Sequence, residues 1–60
     1  MDYSGFLELW INGNRIKTDY YSDAAQRKTI IKDYCKIRDS MDNVIESYIQ
    51  IKPNYFNQCL

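Results

Sequence analysis

The chain has 60 residues, 45% of them hydrophobic, with two cysteines, no histidine and a formal net charge of zero. A chain this short forms a single domain and buries only about 60% of the surface its unfolded form exposes, so a disulfide, a metal or oligomerisation usually supplements the core. Without histidine the common general base near neutral pH is missing, and no apolar run approaches the ~18 residues of a membrane span.

Cys35 and Cys59 form no C-x-x-C or similar ligand pair, and neither has an evident activating partner. No cofactor, no metal site and no enzymatic activity are expected. The opening residues lack a basic segment followed by an apolar stretch, so a reducing, cytoplasmic setting with free thiols is expected. Of the usual supplements to a small core, oligomerisation remains. Charge is uneven along the chain: residues 15–38 carry seven bases against three acids, so only this middle stretch could attract an anionic partner.

Residues 6–11, FLELWI, are rich in aromatic and branched side chains and predict a strand. Only Glu8 interrupts the apolar run, so both sides of this strand are greasy. Asn12 and Gly13 follow, the pair that tolerates positive φ at both central positions of a two-residue hairpin turn. Residues 14–18 then return antiparallel, and strict alternation turns Ile16 inward and Arg15 and Lys17 outward.

Ser22 or Asp23 can cap a helix, with Gln26 placed to complete a capping box. Along that helix Ala24, Ile30, Ile31, Tyr34, Cys35, Ile37 and Met41 occupy roughly one half of the cylinder. Tyr34 is expected at the core edge with its hydroxyl reaching water, and Cys35 as a small hydrophobe. Lys28, Lys32 and Lys36 line the opposite side at i, i+4, i+8, with no acid at i+4 to relieve them.

Residues 38–43, RDSMDN, concentrate side chains that prefer caps and turns. Ile45, Ile49 and Ile51 then alternate with Glu46, Tyr48 and Gln50 up to Pro53, predicting a third strand and an irregular tail over 53–60. The predicted fold is α+β: a ββαβ unit with a three-stranded antiparallel sheet of order 2-1-3 and one helix packed on one face. Leu7, Leu9, Ile11, Ile16, Ile45, Ile49 and Ile51 are the expected helix-facing residues. An alternative is a β-hairpin followed by one long coiled-coil helix, because Ile30, Tyr34, Ile37, Met41, Val44, Tyr48, Ile51 and Tyr55 repeat at alternating spacings of four and three.

In the ββαβ fold the outer sheet face displays Phe6, Trp10 and Tyr48 with Glu8, Arg15, Lys17 and Gln50. Unless Tyr55 and Phe56 of the tail fold back over it, this face is the expected self-association surface. The expected function is a non-enzymatic interaction protein acting as a homo-oligomer, with Phe6, Trp10 and Tyr48 in the self-contact. Lys28, Lys32, Lys36, Arg15 and Lys17 are the candidate residues for binding another protein. Isoleucine, asparagine, lysine and tyrosine, all with AT-rich codons, are abundant, which associates the chain with phage or mobile-element products that occlude a host protein or serve as minor structural parts. The alternative is a small single-stranded nucleic-acid-binding protein that stacks bases on the aromatic face. A third reading is a ligand pocket built at an oligomer interface from Lys17, Tyr20, Tyr21 and Arg27.

Overall fold

A computed structural model describes residues 4–53. Cys59 and the tail aromatics Tyr55 and Phe56 lie outside the described residues. In chain order the elements are β1 (Gly5–Ile11), β2 (Asn14–Tyr21), α1 (Ala24–Ser40) and β3 (Ser47–Pro53). The three strands form one antiparallel sheet of order β2-β1-β3. The fold is therefore the ββαβ unit, and the long coiled-coil helix is ruled out because α1 ends at Ser40 and residues 47–53 pair with β1.

The hairpin turn is built as its residues require. Asn12 has φ 50° and Gly13 φ 81°, both in the left-handed region that these two residue types reach at least cost. Asn12 also does something the hairpin does not need. Its backbone N–H donates to Glu46 O at 2.9 Å, its Nδ2 donates to Asn43 O at 3.0 Å, and its Oδ1 accepts from the Ile45 and Glu46 amides at 2.8 and 3.2 Å. One side chain thus clasps the loop that leads from α1 into β3, where Asn43 turns the chain with φ 63°.

The helix starts at the expected cap. Asp23 is extended, and its carboxylate accepts from the Gln26 amide at 2.7 Å. Gln26 Oε1 reaches back to accept from the amide and hydroxyl of Ser22 at 2.7 and 2.9 Å, satisfying donors that would otherwise be orphaned at the helix start. At the other end Met41 leaves helical geometry and its amide donates to Arg38 O.

The largest departure from simple alternation is in β2. Leu9 pairs with Lys17 but Trp10 pairs with Arg15, so Ile16 is an extra residue, a β-bulge. From Lys17 onward the strand is therefore out of phase with its first residues. Lys17, Asp19 and Tyr21 share the helix-side face with Leu9, Leu7 and Gly5, whereas Thr18 and Tyr20 join Glu8 and Phe6 on the other.

Three expected core residues are corrected. Ile16 is 44% exposed because the bulge removes it from the inward row, and Ile45 is 90% exposed because it lies in the clasped loop, ahead of where β3 begins. Ile51 pairs with Leu7 on the helix side but is 44% exposed and lies outside the core cluster. Ala24 and Met41, at the two ends of the expected apolar arc, are also exposed.

The core lies between the sheet and α1. Leu7, Leu9, Ile11, Tyr21 and Tyr34 are fully buried, with Ile30, Ile31, Ile37, Val44 and Ile49 packed against them. Tyr34 is not a residue whose hydroxyl reaches water. It donates to Asp19 Oδ2 at 2.8 Å and approaches Leu7 O at 3.2 Å, both on strands under the helix. Burial, together with the Asp19 carboxylate beside it, pushes the Tyr34 phenol well above its ordinary value, so the proton stays in this bridge.

Tyr21 is the contrasting case. Its ring crosses Gly5, where a Cβ would stand 2.7 Å from the Tyr21 hydroxyl and 2.8 Å from the Pro53 Cα, so the close approach requires glycine. Arg27 covers the Tyr21 ring at 5.7 Å. The hydroxyl itself is buried without a hydrogen-bond partner among the described residues.

The two buried phenols should respond oppositely to loss of oxygen. Tyr34→Phe removes the buried hydroxyl that ties α1 to Asp19 and Leu7 O and is expected to lower unfolding free energy by about 1–3 kcal/mol. Tyr21→Phe removes an unpartnered polar atom and is expected to leave stability unchanged or raise it by up to about 1 kcal/mol. Urea titrations of the two variants beside the native chain check both signs.

Candidate interaction surface

The sheet face opposite α1 carries Phe6, Glu8 and Trp10 from β1. Cross-strand pairing sets Tyr20, Thr18 and Arg15 of β2 on one side of them and Lys52, Gln50 and Tyr48 of β3 on the other. The three expected self-association residues, Phe6, Trp10 and Tyr48, are thus brought onto one face. Phe6 is 37% exposed and Tyr48 49% exposed, with Trp10 half-buried.

The aromatic groups are ordered. Trp10 and Tyr48 are cross-strand partners whose rings lie parallel, 2° between planes and 6.0 Å between centroids. Lys52, the direct partner of Phe6, places its ammonium 5.7 Å over the Phe6 ring, a cation–π contact.

Glu8 sits between these groups and is only 3% exposed. Its two oxygens are both engaged: Arg15 Nη1 donates to Oε2 at 3.2 Å, while Trp10 Nε1 donates to Oε1 at 3.3 Å and Lys52 Nζ lies 3.4 Å from the same atom. Burial by itself would raise this carboxyl. The Trp10 and Arg15 hydrogen bonds and the Lys52 ammonium outweigh it and hold Glu8 below the ordinary 4.5. The polar residue that interrupts the apolar run is therefore a hub for three side chains on the open face.

The predicted cationic residues divide. Arg15 belongs to the open face through Glu8. Lys17 does not: the bulge carries it to the helix side, where it lies 3.7 Å from Asp19, so it is corrected from the outer face. Lys28, Lys32 and Lys36 are exposed on α1, and none of them forms an ion pair among the described residues.

Tyr20 and Lys52 belong to the open face, to which the sequence alone did not assign them. Tyr20 was hidden by the bulge. Lys52 could have been placed from Phe6, because an antiparallel register that pairs Trp10 with Tyr48 also pairs Phe6 with Lys52. The pocket reading loses its geometry, since Tyr20 and Tyr21 point to opposite faces and Tyr21 is buried under Arg27. Cys35 is half-buried in α1 and free.

Among the described residues no helix is long and apolar enough to cross a membrane. Comparison with family models, with curated proteins and with solved structures finds no match to this chain.

The lowered Glu8 carboxyl fixes an acid response. Its folded value lies below its unfolded value, so its stabilising contribution is fully present above the ordinary carboxylate range and is lost as pH falls through and below 4.5. The native chain is expected to lose stability steeply below that pH. Glu8→Gln, which keeps the shape but has no charge to lose, is expected to be less stable at neutral pH and to show a flatter acid limb. Thermal melts between neutral and strongly acidic pH test the difference, and identical acid limbs would contradict the hub.

Proposed function

We propose that this protein is a non-enzymatic binding protein that self-associates through the open face of its sheet, with Phe6, Trp10, Tyr20 and Tyr48 in the contact. The observation that carries this reading is the doubly apolar first strand. β1 buries Leu7, Leu9 and Ile11 under the helix, yet it also sends Phe6 and Trp10 to a face that α1 does not cover. Covering that face with a second copy removes apolar area from water, worth on the order of 25 cal/mol per Å². A domain of this size has little stability to spare without such a gain.

The charge arrangement favours a protein contact over a polyanion. Glu8 is shared by Arg15 and Lys52, so the cations on the aromatic face are largely spoken for. A phosphate backbone would have to compete with a carboxylate already in place. The stacked Trp10–Tyr48 pair and the two flanking cations are nonetheless the features that a base-stacking surface uses, and this remains the second reading. A further protein partner with an acidic surface fits Lys28, Lys32 and Lys36 on the far side of α1, which form no ion pair among the described residues.

Sedimentation equilibrium at micromolar concentration is the test. The native chain is expected to run as a dimer or larger assembly. Tyr48→Lys, which places a charge in the proposed contact without touching the core, is expected to run as a monomer with its fold retained. A native chain that stays monomeric through the micromolar range removes the proposal. If that monomer also binds a labelled single-stranded oligonucleotide with an affinity that falls steeply with salt, the second reading replaces it.

A further inference from the structure

The clasp made by Asn12 brings together a reactive dipeptide and the contacts that restrain it. We propose that Asn12 is a modification site, an asparagine set for deamidation through Gly13 that the folded turn holds closed and that opening of the turn releases.

The chemistry needs only this chain and water. The Gly13 amide nitrogen attacks the Asn12 side-chain carbonyl carbon, forming a new N–C bond and a cyclic imide. The bond from that carbon to Nδ2 breaks, and the nitrogen leaves as ammonia, taking up the proton that the Gly13 amide gives up. Water then opens either carbonyl of the imide, yielding aspartate or isoaspartate. One water is consumed, one ammonia is released, and nothing is oxidised or reduced.

Two features expose the reacting groups. Asn12 is at the surface, and the space where a Gly13 side chain would stand is empty, with no atom within 4 Å. Other features restrain them. With positive φ at both residues the turn is of type I′, in which ψ of the first residue is roughly +30°. That torsion swings the Gly13 nitrogen away from the Asn12 Cβ, whereas imide closure needs the two to eclipse. The Nδ2 bond to Asn43 O and the two amide bonds to Oδ1 fix the side chain, and the Asn12 N–H to Glu46 O bond fixes the backbone. Reaction therefore requires the clasp and the turn to open together, and its rate follows the population of that open form.

Neither product restores the whole clasp, although aspartate keeps an oxygen able to accept from the Ile45 and Glu46 amides. Aspartate has no Nδ2 proton for Asn43 O and instead sets a carboxylate oxygen against that carbonyl. Isoaspartate lengthens the backbone inside the turn and disturbs the Ile11–Asn14 pair that closes it. In either product the hold on the loop over 43–46 is weakened at Asn43, just ahead of β3 and of Tyr48 with its stack on Trp10. A transient opening becomes a permanent loosening of β3.

Peptide mapping by mass spectrometry of the full chain, aged in mildly alkaline buffer with and without denaturant, tests this. Asn14 and Asn43, followed by Arg15 and Val44, serve as internal controls. Asn12 is expected to convert fastest of the three in denaturant, and more than about tenfold slower in the folded chain. The Asn12→Asp variant is expected to show faster amide hydrogen exchange at Ile45 and Glu46. Equal Asn12 rates with and without denaturant, or no preference for Asn12 in denaturant, would overturn the proposal. So would an Asn12→Asp chain with unchanged exchange at the loop. Should that variant fail to fold, the comparison of native-chain rates decides alone.

Discussion

One extra residue in an edge strand organises both sides of this small sheet. Because Ile16 is inserted opposite Trp10, every residue from Lys17 to Tyr21 faces the side opposite to the one that plain alternation assigns. Asp19 is thereby brought under α1 to receive the Tyr34 hydroxyl, and Tyr21 is laid across Gly5 into the core. Tyr20 moves out to stand beside Phe6. Without the bulge the helix would meet Thr18 and Tyr20, Tyr34 would have no carboxylate to bind, and the open face would lose Tyr20 and gain Lys17 and Asp19.

The two faces solve the problem of a short chain differently. The helix side is a closed core, tied across by one buried hydroxyl. The open side is aromatic at both ends, with a carboxylate at its centre. That carboxylate would be costly to cover if it were bare, but Glu8 already holds Arg15, Lys52 and the Trp10 N–H. Its charge is met within the face, so a partner surface could cover it without leaving a buried ion unpaired. The same hub fixes the Trp10 and Lys52 side chains, reducing the entropy lost when they are immobilised in a contact.

Much of this architecture was legible from local signals. Asn12–Gly13 announces the hairpin and Asp23 with Gln26 announces the helix start; each acts through neighbours in sequence. The bulge was not legible, because Ile16 between Arg15 and Lys17 fits an inward-facing alternation perfectly well, and only the demands of Tyr34 and Tyr21 from other elements select the shifted phase. The clasp was hidden for a similar reason: Asn12 is accounted for by its turn, and its loop partners lie 31 to 34 residues away. The heptad-like spacing from Ile30 through Tyr48 misled because its first members do share the buried side of α1. Beyond Met41 the left-handed Asn43 and the β-branched run convert the same residues into loop and strand. On the open face, Phe6, Trp10 and Tyr48 could be grouped from sequence, whereas Glu8 as a hub required knowing that Arg15 and Lys52 flank it from both neighbouring strands.

The claim on which the functional account rests is that the Trp10 face is covered by another copy of the chain in solution. Trp10 is the sole tryptophan, so its emission reports on that face directly. Fluorescence over a dilution series from high to low micromolar concentration should shift to longer wavelength and become more accessible to a soluble quencher as the assembly dissociates, with far-ultraviolet circular dichroism unchanged. An emission maximum and quenching constant that do not move with concentration, in a chain that stays folded, would contradict the account.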